Sequence, residues 1–94
     1  MGEKMIRHLI KRQGHVHIFD ERKIYASCYA ACLSAHVEHI EAERICEKVT
    51  RDIKKWIKNK KKITSNNIFK EVGKSMKKYN KDAAFMYLTH RDIA

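Results

Sequence analysis

The sequence contains no proline and only three glycines among its 94 residues. Proline interrupts helices because it lacks an amide proton, and glycine weakens them through its backbone freedom. Two of the glycines, Gly2 and Gly14, lie near the N-terminus, and Gly73 is the only one that follows them. We therefore expect most of the chain after Gly14 to be helical.

Long apolar segments are also absent. No run of apolar residues approaches the length of a membrane span, and no signal-type apolar stretch follows the polar N-terminus. The three cysteines are an odd number without a close pairing motif, which suits a reducing compartment better than a disulfide scaffold. The sequence thus predicts a cytoplasmic protein with no membrane-spanning segment.

Acidic residues are scarce relative to basic ones. The sequence has 11 Asp and Glu residues and 21 Lys and Arg residues, which gives a formal net charge of +10. This excess predicts a polyanionic partner, either a nucleotide, a nucleic acid or an anionic membrane surface. The length suits one domain with one modest core, residues 1–94, of which residues 1–5 are expected to be a disordered lead or a cloning remnant.

Motifs of catalysis are missing as well. The glycine-rich loop of nucleotide-hydrolysing enzymes is absent, and no local arrangement of Ser, His, Asp or Cys marks a nucleophile. His15 and His17 lie in a strand-like segment, so we expect their side chains to line a strand face rather than to act as a catalytic base. We expect no enzyme activity.

Helical periodicity fills the middle and end of the chain. Apolar residues at three- and four-residue spacing predict helices over about 20–34, 40–58 and 66–79, and a last helix after a corner at 80–82. Asp20 is placed to cap the first helix, and Ser65, or Thr64 one place earlier, to cap the third. The first helix presents a face of small residues that lets another helix approach closely.

Two short apolar runs near the N-terminus predict a β-hairpin. The first run is Leu9 and Ile10, and the second is Val16 to Phe19. Between them lies the segment Lys11-Arg12-Gln13-Gly14, in which the glycine supplies the left-handed turn position. The expected fold is mainly α with this small hairpin (α+β), a four-helix bundle capped by an N-terminal β-hairpin.

The hairpin also concentrates positive charge. Lys11 and Arg12 lie at its tip, and Arg22 and Lys23 lie in the first turn of the next helix, where the helix dipole disfavours cations. Such donors can converge on a triphosphate. Composition alone favours a solvated turn instead, because basic pairs are common in a chain so rich in lysine.

Two further clusters have competing interpretations. The lysines from Lys54 to Lys62 could follow a nucleic-acid backbone, although cations at a helix C-terminus are commonly just solvated. Cys28, Cys32 and His36 recur every four residues, with Cys46 on the next helix. These positions coincide with the predicted core face and lack a Cys-x-x-Cys knuckle, so we expect no structural metal.

The ordered motifs resemble an ATP-cone domain. They are Leu9 to Gly14, the Phe19-Asp20 pair, Lys23-Ile24, the step from Ile63-Thr64-Ser65 to Ile68, and Tyr87 to Arg91-Asp92, and they extend over about residues 5–91. Gln13 stands where the family has aspartate, and His17 where it often has an acidic residue. These two departures concern base and sugar selectivity more than phosphate binding.

The resemblance implies a regulatory module that binds ATP or dATP between the hairpin and the helices, with Mg²⁺ only through the nucleotide. Carried over by position, Lys11, Arg12 and Lys23 would contact phosphates, and Leu9 with the strand backbone would flank the base. The remaining residues expected at the nucleotide are His17, Asp20, Ser65 and Arg91.

The implied module has no catalytic domain, so it would report nucleotide binding by changing its self-association or by docking on another protein. Its partners would be an adenine nucleotide and either a second copy or an unidentified protein, with nucleic acid as a secondary partner and no membrane partner. The alternative function is that of a small basic DNA- or RNA-binding protein that uses the Lys54 to Lys62 region.

Overall fold

The computed structural model describes residues 9–12, 15–60 and 63–93, and their side chains over 19–60 and 63–90. Three short strands and four helices follow in the order β1 Leu9–Arg12, β2 His15–Ile18, α1 Glu21–Ser34, α2 His39–Lys58, β3 Ile63–Thr64, α3 Ser65–Tyr79 and α4 Lys81–Ile93. The prediction of a mainly helical chain with four helices is confirmed.

The strands form one sheet in the order β2-β1-β3. β1 pairs antiparallel with β2, with Leu9 opposite Ile18, and parallel with β3, with Lys11 opposite Thr64. The turn predicted at Gln13 and Gly14 and the lead over residues 1–5 lie outside the described residues, so both stay predictions.

Helix starts follow local capping chemistry. The Asp20 carboxylate accepts a hydrogen bond from the Arg22 amide at 3.0 Å, as predicted, and thereby caps α1. At α3 the cap is Thr64, whose hydroxyl accepts from the Asn67 amide at 3.0 Å, and Ser65 is the first helical residue. The side chain of Asn80 caps α4 in the same way.

The four helices enclose the core. α1 packs against α2 and α4, and α3 packs against the same two helices, while β1 contacts α3. The predicted apolar faces are buried, including the small residues of α1; the fully enclosed side chains with the largest volumes are Ile45, Ile53, Met76, Val49, Val72, Cys28, Cys32 and Cys46. None of the helices in the described ranges is long and apolar enough to cross a membrane.

The prediction that His36 continues the face of Cys28 and Cys32 is wrong. α1 ends at Ser34, and His36 is an exposed residue with a φ of 62°. The left-handed conformation reverses the chain between α1 and α2 and removes the imidazole from the helix face. The predicted end of the first helix near Ser34 is confirmed, although the turn that follows contains no glycine.

A carboxylate joins α2 to α3. Oδ2 of Asp52 accepts hydrogen bonds from the hydroxyls of Ser75 at 2.9 Å and Tyr79 at 2.8 Å, and it lies 3.0 Å from Nζ of Lys78. Partial burial alone would raise the pKa of Asp52, but the hydrogen bonds from Tyr79, Lys78 and Ser75 together hold it below its ordinary value.

The approach of α3 to α4 depends on Gly73. A Cβ atom at this position would lie 2.5 Å from Cδ2 and 2.9 Å from Cγ of Leu88. We expect Gly73→Ala to destabilise the protein by about 1 kcal/mol, because overpacking costs more than the roughly 1 kcal/mol gained in helix propensity. Urea unfolding measures the change.

The control for Gly73→Ala is the same substitution in a Leu88→Ala background. There the added methyl group meets no clash, so Gly73→Ala becomes neutral or stabilising. An equal loss in both backgrounds would show that the contact with Leu88 is not the cause.

Candidate functional site

The sheet brings together two segments that are far apart in sequence. Because β3 runs parallel to β1 with Lys11 opposite Thr64, the N-terminus of α3 begins beside the strand that carries Lys11 and Arg12. The amides of a first helical turn and the helix dipole favour an anion at this end. The pairing therefore places Ser65 next to the predicted phosphate contacts.

The strand β2 pairs with β1 on the side opposite to β3, and two residues separate β2 from the N-terminus of α1. Asp20 caps this helix, and its Oδ1 also accepts a hydrogen bond from Nε of Arg22 at 3.3 Å. The backbone hydrogen bond from Arg22, followed by its side-chain hydrogen bond, holds the pKa of Asp20 below its ordinary value. The Arg22 side chain remains 89% exposed, and Lys23 is exposed too, so both cations can meet an incoming anion.

The remaining predicted site residues are placed by backbone only. Leu9, Lys11 and Arg12 lie on β1, His17 lies on β2, and Arg91 lies near the end of α4. Their side chains lie outside the described part of the structure, so the convergence of these side chains on one ligand stays a prediction.

A second basic surface lies between α1 and α2. It is an open groove of about 600 Å³, and its lining residues are Glu21, Arg22, Tyr25, Glu47, Thr50, Arg51, Lys54, Lys55 and Lys58. Nζ of Lys54 lies 2.9 Å from a carboxylate oxygen of Glu21 and ties the two helices together at this groove. Five cations against two carboxylates make the groove positive.

The lysine run divides between this groove and the end of α2. Lys54, Lys55 and Lys58 line the groove, whereas Nζ of Lys60 lies 5.2 Å from the ring centre of Trp56. Lys61 and Lys62 lie outside the described residues. The sequence did not predict Arg22 beside these lysines, because the packing of α1 on α2 sets that proximity. Arg51 lies on α2 itself, four residues before Lys55, at a spacing that the sequence does show.

One groove residue carries an unsatisfied hydroxyl. Oγ1 of Thr50 is buried and has no hydrogen-bond partner among the described residues. Thr50→Val keeps the side-chain shape and removes the unsatisfied group, so we expect thermal unfolding to show stabilisation of up to about 1 kcal/mol. Thr89→Val is the control and should give no gain, because that hydroxyl donates to the Phe85 carbonyl at 2.8 Å. A loss on Thr50→Val would contradict the assignment.

All three cysteines of the sequence meet in the core between α1 and α2. The Sγ atoms of Cys28, Cys32 and Cys46 lie within 4.8 Å of one another, and each residue is fully buried. Hydrogen bonds from Cys28 and then Cys46 lower the pKa of Cys32, whereas hydrogen bonding to Cys32 raises the pKa of Cys28. The three thiols thus form one hydrogen-bonded group inside the core.

A small sheet set against the N-terminal ends of two helices in a four-helix domain is an architecture suited to an anionic ligand. The chain belongs to the ATP cone domain family, because the model of that family matches residues 7–93, nearly the whole chain. The resemblance expected from the motifs is therefore confirmed. No curated protein and no solved structure matches this chain. ATP cones are nucleotide-binding regulatory domains without catalytic activity of their own.

Proposed function

We propose that this chain senses ATP or dATP and binds it where β1 and β2 meet the first turns of α1 and α3. The parallel pairing of β1 with β3 carries the proposal, because it brings the α3 N-terminus to the strand that holds Lys11. Family membership supplies the ligand class.

The proposed roles follow the charges that a nucleotide presents. Lys11, Arg12 and Lys23 hold the triphosphate through charge-assisted hydrogen bonds, and Leu9 with the strand backbone flanks the adenine. Ser65 adds a hydroxyl at the α3 N-terminus, where the helix dipole favours phosphate. The other proposed members of the site are His17, Asp20 and Arg91. Mg²⁺ enters only with the nucleotide.

The proposed response is a change in assembly. We place the protein in the cytoplasm as one domain, residues 1–94, in which the two N-terminal strands close over the bound nucleotide against the helical bundle. Nucleotide binding there changes self-association or docking on a partner protein, because a domain without catalysis acts only through states of different affinity.

Calorimetric titration combined with light scattering tests this function. ATP and dATP are each titrated into the protein, and the mass of the particle is followed across the same titration. Saturable binding of either nucleotide with a change in mass supports sensing by self-association. Binding without a mass change assigns the response to a partner protein, and no binding at millimolar nucleotide contradicts the proposal.

The groove between α1 and α2 favours a second candidate, a DNA- or RNA-binding function. Its cations from Arg51 to Lys58 form a positive surface along one side of α2. This candidate predicts duplex binding that weakens steeply with salt and is lost in Arg51→Ala/Lys55→Ala but unchanged in Lys11→Ala. Gel shifts at moderate salt that show no complex would exclude it.

A further inference from the structure

The cysteine trio, Cys28, Cys32 and Cys46, contains all the cysteines of the sequence. Their three sulfur atoms lie together in the core, although two of the residues belong to α1 and one belongs to α2. Cys28 and Cys32 share a face because they are four residues apart, and the packing of α2 on α1 adds Cys46. Burial of a hydrophobe would not require the same residue type at all three positions.

The distances suit metal coordination. Metal–sulfur bonds of about 2.3 Å set three sulfur atoms around one ion at about 4 Å from one another. The three Sγ atoms already lie within 4.8 Å, so shifts of less than about 1 Å, within reach of side-chain rotations, complete the geometry.

The donor set selects the ion. Within the described part of the chain, no His, Asp or Glu joins the three sulfurs in the group, and full burial keeps water away from a fourth position. Structural zinc sites use four ligands, whereas soft sulfur donors without oxygen or nitrogen suit Cu(I).

We propose that Cys28, Cys32 and Cys46 form a three-coordinate, all-sulfur site for a Cu(I) ion in the core between α1 and α2. Each of the three copper–sulfur bonds replaces an S–H bond, so three protons leave to solvent; copper stays Cu(I) and no electron is transferred. Because the sulfurs are enclosed, the ion enters during folding or through a transient opening of the two helices.

The test is to refold the fully reduced protein with Cu(I) held by a competing chelator, and in parallel with Zn(II). Metal content by native mass spectrometry, sulfur-to-copper charge-transfer absorption and melting temperature are then measured. The expected result is one copper ion per chain, the absorption band and a raised melting temperature. Absence of copper binding, or zinc binding at the same stoichiometry in preference to copper, overturns the proposal.

Variants locate the site. Cys32→Ala and Cys46→Ala should each lose stoichiometric copper binding, while Met76→Leu, which removes another buried sulfur atom, should keep it. Circular dichroism identifies any variant that fails to fold. For that case, alkylation of the wild-type protein in mild urea gives an independent measure: copper should protect all three thiols, and equal alkylation with and without copper overturns the assignment.

Discussion

Replacing Lys11 and Lys23 together by alanine will abolish the rise in melting temperature that ATP gives the wild-type protein. A ligand at 100 times its dissociation constant stabilises the folded state by about 2.7 kcal/mol. For a domain of this size, that free energy corresponds to a shift of about 10 to 20 °C. The two lysines lie on β1 and in the first turn of α1, and they supply much of the fixed charge proposed for the triphosphate.

The matched control for this double variant is Lys74→Ala/Lys77→Ala. Both residues are exposed on α3, beyond its first turns, and their loss changes the net charge by the same amount. The ATP-induced shift should survive in the control and vanish in Lys11→Ala/Lys23→Ala. An equal weakening in both variants would mean that net charge, rather than a site at β1, attracts the nucleotide.

Asp52→Asn is expected to lower the free energy of unfolding by about 2 kcal/mol at neutral pH. The amide cannot replace a carboxylate oxygen that serves two hydroxyl donors and an ammonium group, and the Ser75 hydroxyl is left buried at 4% exposure. Urea unfolding at several pH values measures the loss. Asp82→Asn, an exposed carboxyl in the first turn of α4, should change stability by less than about 0.5 kcal/mol.

The pH dependence of this loss has a defined sign. Because the pKa of Asp52 is lowered on folding, its contribution is present above the ordinary value of 3.8 and is lost as pH falls through the folded pKa. The hydrogen bonds to Asp52 raise the pKa of Lys78 and of Tyr79, so their contribution is present below about pH 10 and lost above it. The difference between wild type and Asp52→Asn should therefore be constant from about pH 5 to 9 and shrink on both sides. A difference that does not shrink as the pH falls below 3.8 would contradict the ionic account.

Local chemistry made much of the fold predictable. The spacing of Ile45, Val49 and Ile53 defines the buried face of α2, and Asp20 caps α1 as its position before an apolar-periodic segment indicates. The two-residue strand β3 was not predicted, because a pairing with β1 over fifty residues away leaves no periodic pattern in so short a segment. The end of α1 at Ser34 agrees with the helix predicted over residues 20–34, whereas the left-handed backbone of His36 was not predicted.

The candidate site was predictable to a different extent. The order of motifs from Leu9 to Lys23 indicated the family, which the family match confirms. The residue roles stay predictions. Tertiary contacts such as the Asp52 cluster and the ion pair of Lys54 with Glu21 could not be inferred, because each joins two helices whose relative rotation the sequence pattern does not define.

Backbone amide chemical shifts during an ATP titration test the central claim most directly, because they locate the nucleotide. We predict saturable shifts in β1 and β2 and in the first turns of α1 and α3, around Arg22 to Lys23 and Ser65 to Asn67. Amides from Arg51 to Lys58, along the groove between α1 and α2, should stay in place. Shifts confined to the amides from Arg51 to Lys58, or no shifts at millimolar ATP, would contradict the account.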